Sequence, residues 1–440
     1  MAGVRDGQLY KAGPWPRGVN NTAEEGALPE NEYGTRPIAL REAVNVDLTA
    51  QGRPRRRRGY APAMSGALAH SGWRDSALPF GLYVDGGALK AVFDDLTTQD
   101  LGVDVGNAPV SYARINDRVF FSNNSVSGLI TPDLQAWSWA PECPLGQPAC
   151  AAATGYSLDK GMYQVAVTFT DLLGRESGAA LAVQLDVGQD GGIELSNIPQ
   201  PLDPVATPTV NFYATGADDQ VLRLYTSAPS MTAHGVIADR ADGRPLLTQH
   251  LQPLPPGGIV RGGHGRQWVA RFDQLYWSAP LRYGLFNPAR DRMRFDAPID
   301  MLEPIGDGAG GAGVFAAAGD KTYWYSGADP HGFSQVIVAH QGVVPGSSLV
   351  LPGDAVGMDT AAPVATWLGK DGVHYVGTPG GSVAALTSGV VVDSADRAAV
   401  FYREQGGVAQ LVAALRGPRP QSMAVTDRAY AHIVHRDAGI

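Results

Sequence analysis

The chain has 440 residues, 44% of them hydrophobic, so it is long enough to bury a sizeable core and to hold more than one domain. Gly and Pro number 55 and 32 while only 18% of residues are charged, a turn-rich composition that predicts many short strands rather than long helices. A net charge of -9 argues against a general nucleic-acid binder, which neutralises phosphates with cations, although a tunnel through which DNA slides needs only weak attraction.

Gly3 to Pro16 is polar and lacks an apolar h-region, so no signal peptide is expected after Met1. No run of about eighteen apolar residues is present to span a bilayer. Synthesis in the cytoplasm is the expectation.

Residues 1–60 read as a docking arm, whose organised part runs from Gly18 to Tyr60. It opens with Gly18-Val19-Asn20-Asn21 and an acidic turn, Thr22-Ala23-Glu24-Glu25, in which Thr22 fits an N-cap and Glu25 its capping-box partner. Leu40-Arg41-Glu42-Ala43-Val44-Asn45-Val46-Asp47 is strand-like. Gly52-Arg53-Pro54-Arg55-Arg56-Arg57-Arg58-Gly59-Tyr60 then joins a turn, an arginine run and an aromatic. Such a run suits nucleic acid or a nuclear address; on a β-strand it equally sets guanidinium groups on one face against a neighbour's carboxylates.

From residue 61 to 150 the pattern changes to short alternating runs. Gly81 to Phe93 reads as a hairpin turning at Asp85-Gly86-Gly87. Ser111 to Ile115 meets Val119 to Ser122 across Asn116-Asp117-Arg118, the pattern of an inner hairpin in a propeller blade. Cys143 and Cys150 lie in a Pro/Gly segment with no further His or Cys at zinc-site spacing, and read as reduced spectator thiols.

Residues 151–250 have another texture. Gly161 to Asp171, Gly174 to Gly178, Gly192 to Leu195, Val210 to Gly216 and Leu222 to Tyr225 alternate as a two-sheet sandwich requires. Their Tyr-x-Val-x-x-Thr and Gly-x-Glu-Ser phrases resemble a fibronectin type III-like domain.

Pro-rich Leu251 to Gly258 reads as the linker back to the first texture. In residues 251–440 the phrase of strand, short polar turn and aromatic strand returns at Arg266–Pro280, Gly313–Gly327 and Val364–Gly377. A spacing of about fifty residues suits radially arranged four-stranded blades. Arg397–Arg403 and Val408–Leu415 form a further pair, and Ser422 to Val434 is apolar enough to close the ring as a last strand. The expected fold is therefore all-β: a β-propeller of five or six blades interrupted by a fibronectin III-like sandwich and preceded by an extended arm.

Catalytic chemistry is not evident. Asp94-Asp95 and Asp300 with Glu303 are carboxylate pairs of the kind a glycosidase uses, but they stand at turns or strand ends. His264 sits in a glycine-rich loop without a nucleophile motif, and Gly308 to Gly313 reads as a linker between blades rather than a dinucleotide loop, since no βαβ unit surrounds it. Trp277, Trp324 and Trp367 recur at corresponding places and read as packing residues.

The ordered set Gly18-Val19-Asn20-Asn21, Leu40-Arg41, Ala43-Val44-Asn45-Val46-Asp47, Gly52 and Arg56-Arg57-Arg58-Gly59-Tyr60 resembles the N-terminus of tailed-phage virion proteins. The likeness is to the nozzle or distal tail-tube proteins of short-tailed phages, sharp over about forty residues and architectural over the rest. It implies a non-enzymatic structural protein without cofactors, in the virion tail. There it forms a hexameric ring of propellers around the DNA exit channel. The implied partners are further copies of itself, tail adaptor or tube proteins, tail fibres, and genomic DNA that passes without sequence recognition. The interface or channel residues are then Asn20, Asn21, Arg41, Asn45, Asp47, Arg55, Arg56, Arg57, Arg58 and Tyr60, the arginines bridging to carboxylates across subunits or lining the channel. Two other readings share the pattern: a glycan-binding or glycan-degrading propeller, and a tail-tip or fibre-attachment protein of a long-tailed phage.

Overall fold

The computed structural model describes residues 14–23, 27–30, 32, 37–41, 43, 46–48, 53–56, 66, 68–308, 311–387, 395–405, 408–417 and 430–435. The chain is all-β and of β-propeller type, and it divides into two compact units, Met64–Phe295 and Met1–Ala63 with Asp296–Ile440. The arm, in the latter unit, carries the antiparallel pair β1 (Val46–Leu48) and β2 (Pro54–Arg56).

In the unit Met64–Phe295 the first blade is β3 (His70–Arg74), β4 (Phe80–Asp85), β5 (Ala88–Phe93) and β6 (Thr98–Asp104). The second is β7 (Ser111–Ile115), β8 (Arg118–Ser122), β9 (Ser127–Ile130) and β10 (Ala136–Trp137). Each is an antiparallel sheet whose spatial order follows the chain, the up-and-down meander of a propeller blade.

A sandwich follows, with strands β11 (Ala149–Leu158), β12 (Gly161–Thr170), β13 (Val183–Val187), β14 (Gly191–Ser196), β15 (Thr209–Ala214), β16 (Arg223–Pro229) and β17 (Gly235–Ile237). Its sheets run β11-β14-β17 and β13-β12-β15-β16. Alternate residues of both, among them Val165, Val167, Phe169, Ile193, Leu195, Val210 and Phe212, close one core. The likeness to fibronectin type III domains rests on the sequence pattern alone.

Next come β18 (Gln252–Pro253), β19 (Ile259–Gly263), β20 (Arg266–Arg271), β21 (Gln274–Trp277), β22 (Leu285–Phe286) and β23 (Arg292–Arg294). The third blade is β19-β20-β21-β23, while β22 turns aside to pair with β18. The Pro-rich return segment is thus tied down, with Leu254 N–H donating to Gly284 O at 2.7 Å and the Trp139 indole donating to Leu254 O at 3.1 Å.

In the other unit, β24 (Ile299–Gly306), β25 (Ala312–Ala318), β26 (Lys321–Ser326) and β27 (Ser334–Ala339) form a fourth meander. A fifth is β28 (Leu349–Pro352), β29 (Pro363–Leu368), β30 (His374–Gly377) and β31 (Val383–Ala385). The last sheet is β32 (Arg397–Gln405), β33 (Val408–Arg416) and β34 (Tyr430–His435). Gly308 and Gly311 lie between β24 and β25 and Gly313 inside β25, within one blade, which corrects the reading of this run as an inter-blade linker: a chain reversal needs glycine as much as a linker does.

Period-2 alternation explains how blades stack. On β7 to β9, Tyr112, Val119, Phe121 and Ile130 share a core with Phe80, Leu82, Val84 and Leu89 of the first blade. The intervening Ala113, Ile115, Phe120 and Leu129 pack instead with Val260 and Val269 of the third. The strands β7 to β9 are therefore apolar on both faces, which is why runs such as Val119-Phe120-Phe121 appear in the sequence. Between the fourth and fifth blades Phe315, Trp324 and Trp367 meet, ring centroids 4.5 and 5.3 Å from Phe315. Trp277, Trp324 and Trp367 are all buried. Each large side chain so buried contributes about 1.5–3 kcal/mol.

Candidate assembly interface

The arm folds on its own hydrogen bonds. Gly18 stands at φ 68°, a conformation that glycine adopts without strain, and its N–H donates to Trp15 O. Val19 then bridges Leu40 in parallel, with Leu40 N–H donating to Gly18 O at 2.8 Å and Asn20 N–H to Leu40 O at 2.6 Å. Ile38 N–H donates to Pro29 O, and Ala39 is buried beneath.

Asn20 supplies the cap of this turn. Its Oδ1 accepts from Thr22 N–H at 3.2 Å, Thr22 Oγ1 at 2.9 Å and Ala23 N–H at 3.0 Å. Thr22 is a donor here, which corrects its reading as the N-cap; Glu25 lies outside the described residues. Asn side chains compete with Thr for this role because either can reach a backbone N–H two or three residues on.

Of the other arm residues singled out, Asn21 and Arg41 are exposed. In the β1–β2 pair Val46 faces Arg56, Asp47 faces Arg55 and Leu48 faces Pro54. Arg55 and Arg56 are exposed. Asn45, Arg57, Arg58 and Tyr60 lie outside the described residues. The structure thus brings Asp47 and Arg55 to one register position and Asn20 to Leu40.

Two features of the sandwich were not read from the sequence. Glu176 Oε1 accepts from Thr168 Oγ1 at 2.8 Å and Tyr213 OH at 2.6 Å, while Oε2 takes Arg244 Nη2 at 3.2 Å. Burial and the bond to Glu176 push the Tyr213 phenol up to about 12. Arg175 pairs with Asp171 through Nε at 2.8 Å and donates to Trp139 O and Ser138 O at 2.9 and 3.0 Å, fastening the sandwich to the end of the second blade. Nothing short-range announces either set, because apart from Thr168 and Asp171 the partners lie 36 to 68 residues away.

The second feature is an open edge. β11 ends its sheet, paired with β14 from Ala149–Ser196 to Thr154–Gly191. Beyond Thr154 the β14 side continues, with Gly155 and Tyr156 N–H donating to Asp190 O, and Ser157 N–H donates to Ala238 O. From Ala149 to Thr154 the outer edge pairs with no other strand among the described residues.

The carboxylates weighed for catalysis have structural partners. Asp94 pairs with Arg74 at 2.8 Å, and Asp95 accepts from Thr97 Oγ1 and N–H, bonds that hold its carboxyl below the usual range. Asp300 pairs with Lys370 at 2.8 Å, and buried Glu303 accepts from Ser348 Oγ at 2.7 Å. His264 occupies the β19–β20 turn at φ 52°. Among the described residues no group of three or more His, Cys, Asp or Glu could hold a metal ion, and no helix is long and apolar enough to cross a membrane.

No family model matches the chain, and no curated protein matches it. Among solved structures it is similar to BBS1N in complex with ARL6DN, at TM-score 0.30 and 12% identity over 80% of this chain and 90% of that one. It is also similar to the extracellular domain of the hybrid two-component system BT4673 of B. thetaiotaomicron, at 0.29 and 11% over 80% and 38% of the two chains. Apo AztD from Citrobacter koseri gives 0.26 and 10% over 74% and 86%. Likenesses this low carry no argument about this chain.

Proposed function

We propose that the chain is a structural subunit of a phage tail, a nozzle-like ring at the distal end that forms part of the DNA-ejection channel. The observation that carries this reading is the residue order from Gly18 to Tyr60, set on an arm that folds by its own hydrogen bonds and holds a short strand pair. An isolated two-stranded ribbon is at best marginally stable in water, so a three-residue pair suits a segment completed by a neighbour.

The blades supply the second support. Strands β7 to β9, apolar on both faces, stack against the neighbouring blades as a stiff wall requires, and a net charge of -9 limits sticking to the DNA that passes. In this reading the partners are further copies of the chain in a hexameric ring, tail adaptor or tube proteins, and tail fibres. No catalytic step is assigned to the chain.

The test is location. Peptide mass spectrometry of purified virions, with gold-labelled antibody against this chain, is expected to find it at the tail end. A chain absent from virions, or one that cleaves host-surface glycan as a monomer, overturns the proposal.

A further inference from the structure

The outer edge of β11 from Ala149 to Thr154 is the sequence Ala-Cys-Ala-Ala-Ala-Thr. It holds no charge and no proline, and the register shift in its pairing with β14 comes only after Thr154. Sheet edges of soluble proteins are usually blunted by Lys, Pro, bulges or cover, because a bare edge is a template for another strand. Here the protective devices are missing over six residues whose side chains are small enough for close approach.

The arm shows the complementary asymmetry. β2 carries Pro54, which has no N–H to give, followed by exposed Arg55 and Arg56, so its outer edge is blunted. β1 is Val-Asp-Leu, preceded in the sequence by Val44-Asn45; it has no proline, and Asp47 is its one charge. Charge agrees with a meeting of the two. Residues 149–250 hold eleven carboxylates against five cations, whereas residues 49–60 hold five arginines and no carboxylate.

We propose that β1 from the arm of a second copy adds to the β11 edge of the sandwich, extending β11-β14-β17 to a five-stranded sheet in the order β2-β1-β11-β14-β17. Backbone hydrogen bonds supply the affinity, and the arginines beside β2 meet the acidic sandwich. The contact is heterologous, one copy's arm on the next copy's edge, so it propagates head to tail and closes into a ring where the rotation permits. The inference rests on the reading of the chain as a ring-forming subunit, and names the surface through which the ring is joined.

The test uses the full chain with Cys143→Ser and Cys150→Ser, carrying either Ala151→Cys on β11 or Leu48→Cys on β1, the two variants mixed and oxidised. Paired strands bring Cα atoms to about 4.5–5.5 Å, within disulfide reach. A covalent heterodimer on non-reducing gels, at least about tenfold above either variant alone, is the expected result. Val46→Pro, which removes a β1 N–H, is expected to turn rings into monomers in mass photometry without shifting the melting temperature. If wild type forms rings while the mixture stays uncrosslinked and Val46→Pro still assembles, the arm-to-edge contact is wrong and the ring reading stands. If a chain carrying both substitutions crosslinks within one copy while the mixture of single variants does not, the contact in trans is likewise wrong. A wild-type monomer at all concentrations removes the ring reading and this inference together.

Discussion

Phe272 holds, in the two-residue turn between β20 and β21, the place that Asn116 holds between β7 and β8, with φ 53° against 58°. Each turn continues with an aspartate, Asp273 and Asp117. Left-handed backbone costs about 1–2 kcal/mol for most L-residues and less for Asn, whose short side chain bonds locally. Phe272 is exposed and gains only a contact with the Arg271 guanidinium, 5.9 Å from its ring centroid. Phe272→Asn is therefore expected to stabilise the chain by about 1 kcal/mol, read as a higher melting temperature. An unchanged or lower value contradicts this.

The Glu176 network makes stability depend on alkaline pH. Tyr213, with its phenol raised to about 12 from a starting value of 10.0, binds a proton in the folded chain that the unfolded chain has lost between those values. Its contribution is full below about pH 10 and falls as pH rises toward 12. The urea midpoint is expected to drop over that window. Tyr213→Phe should shrink the drop, and at neutral pH should cost about 1 kcal/mol for the lost hydrogen bond.

Arg175 is expected to be irreplaceable by lysine. A single ammonium cannot reach Asp171 Oδ2, Trp139 O and Ser138 O together, and the Asp171 side chain is only 4% exposed. Arg175→Lys should cost about 2 kcal/mol and Arg175→Ala about 3–5, with cleavage near residues 138–148 appearing in limited proteolysis.

Trp367 is 1% exposed and touches the Phe315 and Tyr375 rings. Trp367→Ala should cost about 3–5 kcal/mol in chemical denaturation. A cost below about 1 kcal/mol would contradict its assignment to inter-blade packing.

Burial holds both thiols back. The Cys143 and Cys150 groups are free and pushed up to about 11, so at pH 8 neither reacts readily as thiolate. A thiol reagent should modify both within minutes in urea and far more slowly in the native chain.

The blades were legible because their signals are local. Gly86-Gly87, Asn116-Asp117 and the aromatic strands after them are turn and alternation patterns within a dozen residues. Long-range pairing left no such trace. Glu176 and Arg244 look like ordinary surface charges until the fold brings them together. The Ala-rich β11 has no clean alternation, its exposed and half-buried residues following no period of two, so neither strand nor edge was visible. In the arm, Thr22 was the expected cap, and the geometry gives that role to Asn20 instead. The arm's resemblance to tail proteins marked its residues as a group, while the partners proposed for them lie beyond a single chain.

The most direct measurement is mass photometry of the purified chain together with cryo-electron microscopy of virions that carry it. A six-copy ring with an axial opening, seated at the tail end, is the predicted result. A stable monomer, with no density for this chain in the tail, would contradict the assignment.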